Sequence, residues 1–194
     1  MTPADVLARI DQLFAERGSS EYHGEAVTQL EHALQAATLA EQDGQPPQVI
    51  AAALLHDIGH LLHGWGEDYL DRHLNDQHED LGARFLAHAF GPAVTEPIRL
   101  HVAAKRYLCT VRPGYSATLS PASVRSLELQ GGPMTTDEVR TFEAHPDCAI
   151  AATIREYDDR AKVVGWATPP YTHFRRYLEF SLREPGLQHP IGGV

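Results

Sequence analysis

The stretch "ALLHDIGHLLHG", Ala53 to Gly64, sets His56, Asp57, His60 and His63 among otherwise apolar residues. Burying an imidazole beside a carboxylate is costly unless something neutralises and hydrogen-bonds both. A metal does that. Further candidate ligands lie among apolar neighbours: His32 in "QLEHALQAA", His78 opening "QHEDLGARFLAHAFG", His101 inside "IRLHVAAK" and Asp158 closing "IREYDD". Ligands on separate helices that meet at one core point are how helical bundles build metal sites. In the adjacent pair, the His56 imidazole can bind one metal while the two oxygens of Asp57 bridge it to a second. Such a pair, about 3.5–4 Å apart, suits two-metal chemistry. A nitrogen-rich donor set favours iron, manganese, zinc or nickel over magnesium. His23, His63, His73, His88, His145, His173 and His189 read as surface or satisfied core groups.

Other residues point to an anionic substrate. Lys105 follows His101 by four residues, so both share a helix face. A lysine there is repelled by a metal-bound histidine unless an anion sits between them. Ser123 falls in the first turn of "SPASVRSLELQ", where unpaired N–H groups favour anions. Gln130, at the other end of that helix, reaches a substrate only if the next loop folds back. From spacing alone each of Ser123 and Gln130 reads as a cap or a surface group. His60, one turn after His56, is placed to hydrogen-bond substrate rather than to bind metal.

The elements that must position these groups are helical. Thr2 and Pro3 start a first helix with the stripe Val6, Leu7, Ile10, Leu13 and Phe14, and Gly18 stops it. A second periodic run extends from about Glu25 to Leu39 and breaks at "DGQPP". "PQVIAAALLHD" is almost wholly apolar, which predicts a central helix. A fourth helix closes at Gly91, and "TEPIRLHVAAKRYL" places Pro97 near a helix start. Ser120, Pro121 and the Gly131–Gly132 pair bracket another, and Thr135 to Glu138 has capping-box spacing. "PDCAIAATIREYDD" and "YTHFRRYLEFSLRE" complete the set. With no sustained strand alternation or internal repeat, residues 1–194 read as one all-α domain with its metal site in the core. Residues 1–18 form its N-terminal helix and 185–194 a loose tail.

The 194 residues, 43% of them hydrophobic, suffice for one globular core. Sixteen basic against 26 acidic residues give a formal charge of −10, which argues against nucleic-acid binding. The leading "MTPADVLARIDQLF" has no signal-peptide pattern, and no apolar run approaches the ~18 residues of a membrane span. Cys109 and Cys148 form no disulfide framework, which fits a reducing cytoplasm.

The H…HD…H…H…D order resembles the HD-domain superfamily, with "HDIGH" as its hallmark. The stretches "YHGEAVTQLEHALQAA", "AALLHDIGH", "HVAAKRYL", "LSPASVRSLELQGGPM" and "IREYDD" resemble one branch of it, the PhnZ-type mixed-valent di-iron oxygenases. That resemblance covers about residues 22 to 160 and implies an all-α HD-domain bundle. It implies two iron ions, Fe(II)/Fe(III), with O2 as co-substrate. His32, His56 and Asp158 would hold one iron, His78 and His101 the other, with Asp57 bridging and, with His60, catalytic. The implied reaction cleaves the C–P bond of a 1-hydroxy-2-(amino or trimethylammonio)ethylphosphonate, releasing phosphate and glycine or glycine betaine. Tyr22, Glu25, His60, Lys105, Ser123 and Gln130 form the implied substrate shell, with Tyr22 occupying an iron site until substrate displaces it. Glu25 suits a primary ammonium, whereas Tyr22, Trp65, Tyr157 and Trp166 could face a quaternary one. An HD phosphohydrolase acting on a nucleotide or phosphate monoester is the alternative, and a non-catalytic regulatory HD module a third. The sequence leaves oligomeric state open.

Overall fold

The computed structural model describes residues 1–22, 24–62 and 77–183, a bundle of helices wrapped around one apolar rod. Helix α1 (Pro3–Arg17) buries the predicted stripe of Val6, Leu7, Ile10, Leu13 and Phe14, and a capping box between Thr2 and Asp5 opens it. Antiparallel β1 (Glu21–Tyr22) and β2 (Glu25–Thr28) follow, with Tyr22 opposite Glu25. This corrects the helix expected from Glu25. Thr28 and Glu31 form a capping box, so helix α2 (Gln29–Gln42) begins only at Gln29. That T-x-x-E signal stands in the sequence beneath the longer apolar periodicity.

The rod is α3 (Pro47–Leu55), in which every residue from Val49 to Leu55 is buried. It packs against α2, α6 (Pro92–Val111), α9 (Cys148–Arg160) and α10 (Tyr171–Ser181). The run "ALLHDIGHLLHG" is not one helix: α3 stops, His56 and Asp57 form the joint, and α4 (Ile58–Leu62) starts anew. His63 lies outside the described residues, as do His23, Trp65, His73, His189 and the 185–194 tail.

Helix α5 (His78–Leu86) packs on both α4 and α6. Gly91 caps α6 and Pro92 takes its first turn, so Pro97 lies inside the helix and not near its start. Its missing N–H deprives the carbonyl of Ala93, an exposed residue that water can serve, and the helix continues. A short 3-10 turn (Tyr115–Thr118) leads to α7 (Pro121–Leu129), and α8 (Thr136–Glu143) has the predicted capping box between Thr135 and Glu138. Among the described residues no helix is long and apolar enough to cross a membrane, and both cysteines are free.

Candidate metal centre

Five segments bring six candidate ligand residues to one buried point. His32 comes from α2, His56 and Asp57 from the α3–α4 joint, His78 from the start of α5, His101 from mid-α6, and Asp158 from the last turns of α9. All six are buried. They fall into two overlapping groups: His32, His56, Asp57 and Asp158, and Asp57, His78 and His101.

Asp57 belongs to both groups, one oxygen to each. Its Oδ2 lies 3.3 Å from His56 Nε2 and 3.6 Å from His32 Nε2. Its Oδ1 lies 3.3 Å from His78 Nε2 and 3.4 Å from His101 Nε2, with no hydrogen-bond partner. Asp158 Oδ1 stands 3.5 Å from His32 Nε2.

The histidines are oriented from behind. Nδ1 of His32, His56 and His101 meets the carbonyls of Ala161, Ala53 and Ile98 at 2.8, 2.8 and 2.7 Å, so each Nδ1 carries a proton and donates. Each Nε2 then points inward, the arrangement that fixes a metal-binding tautomer. His32 Nε2 and His56 Nε2 face one another at 3.0 Å, and His78 Nε2 and His101 Nε2 at 3.2 Å. Facing acceptors at that range repel unless they share a cation. The titration of the cluster agrees. Burial, then His56, pushes His32 down to about 3. Burial alone would also lower His56, but Asp57 and Asp158 raise it, whereas burial keeps His101 below its ordinary value. Burial alone would raise the Asp57 carboxyl, yet His56 and His101 hold it well below the carboxylate range. The donor set fits two metal ions.

Beside the cluster opens a cavity lined by Tyr22, Glu25, His60, Lys105, Ser123 and Gln130, every residue expected in the substrate shell. The Tyr22 hydroxyl donates to Asp57 Oδ2 at 2.8 Å, and its ring stacks on His32 at 3.8 Å. His60 stacks on His78, also at 3.8 Å. Glu25 Oε1 and Gln130 Oε1 are buried without a hydrogen-bond partner. Gln130 is the C-cap residue of α7 and also lines the cavity. Lys105 Nζ donates to Ser126 Oγ at 2.7 Å, and burial, then the Arg155 charge, pushes it down to about 7.

Three polar lining residues were not legible in the sequence: Ser126, Arg155 and Lys162. Arg155 Nη1 grips Asp158 Oδ2 at 2.6 Å, pairs also with Asp159, and donates from Nε to the Tyr115 hydroxyl at 3.2 Å. That leaves Asp158 Oδ1 facing the histidines. For Arg155 the available signal was helical spacing, since it lies three residues before Asp158 on α9. Two aromatic candidates are corrected: Trp166 packs against the hydrophobic core, and the Tyr157 hydroxyl is taken by Gln45 and Asp43. Neither lines the cavity. His88 is exposed and His145 and His173 are half-buried, apart from the cluster.

The chain belongs to the HD-domain family, whose model matches residues 29–140, the span carrying His32, His56, Asp57, His78 and His101. Within that family its relatives include named phosphonate dioxygenases. It is 45% identical over 170 residues to [1-hydroxy-2-(trimethylamino)ethyl]phosphonate dioxygenase (glycine-betaine-forming) of Leisingera caerulea, covering 88% of this chain and 87% of the relative. It is 46% identical over 189 residues to hydroxymethylphosphonate dioxygenase of Gimesia maris, covering 93% and 90%. An uncharacterised protein of Acanthamoeba polyphaga mimivirus is 36% identical over 87% of this chain and 78% of its own length.

Proposed function

We propose that this chain is an iron-dependent oxygenase that cleaves the C–P bond of a 1-hydroxyalkylphosphonate, releasing phosphate and a carboxylic acid. The observation that carries the reading is Asp57, with one carboxylate oxygen turned to each of two histidine groups. The two named relatives support the reaction class. His32, His56 and Asp158 would hold one iron, His78 and His101 the other, and Asp57 both. Iron bound there, as an Fe(II)/Fe(III) pair, supplies the activation of O2. The net reaction, R–CH(OH)–PO3H2 + O2 → R–COOH + H3PO4, balances with O2 as sole oxidant.

The chain's own residues do the rest. Lys105 and Ser123 receive the phosphonate oxygens, and the phosphonate's negative charge offsets the repulsion between Lys105 and the metal-bound histidines. His60 borders the reacting end of the cavity and holds the substrate hydroxyl. Tyr22 fills the space beside Asp57 and must swing away as substrate enters. Glu25, an acceptor lacking a partner, faces whatever lies at the far end of the substrate. A carboxylate there suits a primary ammonium, which can donate to it. Among the described lining residues Tyr22 is the one Phe, Tyr or Trp, and a quaternary ammonium, which cannot donate to Glu25, is held better by aromatic faces.

The decisive experiment reconstitutes the protein with iron anaerobically and measures O2 uptake and phosphate release. The substrates are 2-amino-1-hydroxyethylphosphonate, its trimethylammonium analogue and hydroxymethylphosphonate. One phosphate per O2 with any of them supports the reading. Phosphate release from a phosphate monoester or nucleotide without O2, and none from the phosphonates, replaces it with the phosphohydrolase.

A further inference from the structure

The cavity holds a second ammonium whose position the helices do not explain. Lys162 lies just past the end of α9, where residues 161–170 form neither helix nor strand. Its side chain is nevertheless only 12% exposed. Nζ donates to Ser123 Oγ at 3.2 Å and stands 3.6 Å from Asp158 Oδ1. Lys105 makes the equivalent contact with Ser126 at 2.7 Å. Ser123 and Ser126 are three residues apart on α7, hence on one face. Two lysines from different parts of the chain are thus drawn to adjacent serines of one helix, a two-pronged grip suited to an anion with several oxygens.

The loop is tied down on both sides of Lys162. On one side His32 Nδ1 donates to the Ala161 carbonyl at 2.8 Å. On the other, Gln35 uses both ends of its amide on one residue: Nε2 donates to the Val163 carbonyl at 2.8 Å, and Oε1 accepts from the Val163 N–H at 2.9 Å. Gln35 is 1% exposed, lies three residues after His32 on the same face of α2, and does not line the cavity. An amide at such depth is retained where its hydrogen bonds fix something.

We propose that Gln35 is a positioning residue for substrate recognition: by clamping Val163 it fixes Lys162 where the ammonium binds the phosphonate alongside Lys105. The role assigned to Lys162 rests on the function proposed above. Gln35 never touches substrate; it acts through Lys162.

The test uses the iron-loaded protein with Gln35→Met, Lys162→Met and the double variant. Affinity for inorganic phosphate and methylphosphonate is read by calorimetry, and KM and kcat with the best hydroxyalkylphosphonate. Losing a charged hydrogen bond to the anion should weaken phosphate binding by about tenfold or more in Lys162→Met. Gln35→Met should raise Kd and KM by roughly tenfold, with a smaller fall in kcat and unchanged iron content. The double variant should match Lys162→Met, because residues acting through one contact are not additive. If Gln35→Met does not fold, Gln35→Glu keeps the bond to the Val163 N–H and should give about a threefold rise, less than half the full effect in free energy. Unchanged Kd and KM, additive effects in the double variant, or loss of iron in step with the loss of binding would each overturn the proposal. The binding arm needs no turnover. Phosphate held through Gln35 and Lys162 by a protein that cleaves no hydroxyalkylphosphonate would sink the assigned reaction and leave this inference standing.

Discussion

At the scale of single residues, Asp57 and Lys105 carry opposite burdens in one cavity. Asp57 is a carboxylate with too many nitrogen neighbours, and Lys105 is an ammonium with too little water. Asp57→Asn replaces one of the two carboxylate oxygens with an amide that donates, so one of the two proposed metal sites would lose its shared ligand. Activity should fall by at least about a hundredfold, or roughly 2.7 kcal/mol of barrier. Mössbauer spectra of the iron-loaded variant should lack the spin coupling of the wild type. Full activity with normal coupling would remove the bridging assignment. For Lys105 the consequence is a pH dependence. Burial and the neighbouring Arg155 push its pKa down to about 7, so the free protein loses this charge as pH rises through neutrality. An anion binds the protonated form and raises that pKa on binding. The Lys105 contribution to phosphonate affinity should therefore be flat below about pH 7 and fall with a slope approaching tenfold per unit above it. Stability moves the other way. Between about 7 and the ordinary 10.5 the unfolded chain binds more protons at this site, so unfolding becomes harder as pH rises. Lys105→Met should flatten both limbs, and a KM whose rise with pH survives that substitution assigns the titration elsewhere.

At the scale of elements, the question is how α4 and α5 come close enough for His78 to share Asp57 with His101. The answer is Gly59, in the middle of "HDIGH". A Cβ on Gly59 would lie 2.0 Å from the His78 carbonyl oxygen and 2.9 Å from its Cα, so any side chain there displaces the ligand's own backbone. Gly59→Ala should retract His78. Metal affinity at the His78–His101 group is expected to drop by about 10–100-fold, the range seen when a ligand loses its support. Overpacking should also cost about 1–3 kcal/mol of stability. Metal titrations that still show two sites of wild-type affinity would refute this. How much of this was legible from sequence depended on what each signal reports. The apolar run of α3 and the ligand-bearing positions of α2, α6 and α9 were readable, because burial leaves a periodic trace. The close approach at Gly59 was not, since it depends on where α5 returns, a long-range fact. The β1–β2 hairpin was overrun by an apolar period that extends into α2, although the Thr28–Glu31 cap marked the true start. Pro97 misled for the converse reason: a local rule against proline was outweighed by the packing of α6 along α9. Lys162 was missed because a loop has no period, and its place is set by Gln35 on a distant helix.

At the scale of the whole molecule, the ligands draw together segments from His32 to Asp158, so binding metal and holding the bundle closed are coupled events. The formal charge of −10 does not hinder an anionic substrate, because lysines line the cavity itself. Without metal, however, the core keeps two buried carboxylates and two pairs of facing imidazole nitrogens. Ions that bind only the folded state stabilise it in proportion to the logarithm of their concentration over Kd. A thousandfold excess over Kd is worth about 4 kcal/mol, which for a domain of this size corresponds to roughly 10 °C in melting temperature. Iron-loaded protein should therefore melt about that much higher than protein stripped by chelation. The gain should also be unevenly distributed. Amides of α6 and α9, which carry His101 and Asp158 and pack along each other, should become the most protected from hydrogen exchange. Helices α1 and α8 contribute no ligand and hold their own N-termini with capping boxes, so their exchange should change least. His101→Ala, which leaves the His32–His56–Asp158 group intact, should retain part of the thermal gain. A melting temperature indifferent to metal would mean that the bundle is preformed without it, and that the converging histidines owe their geometry to packing alone.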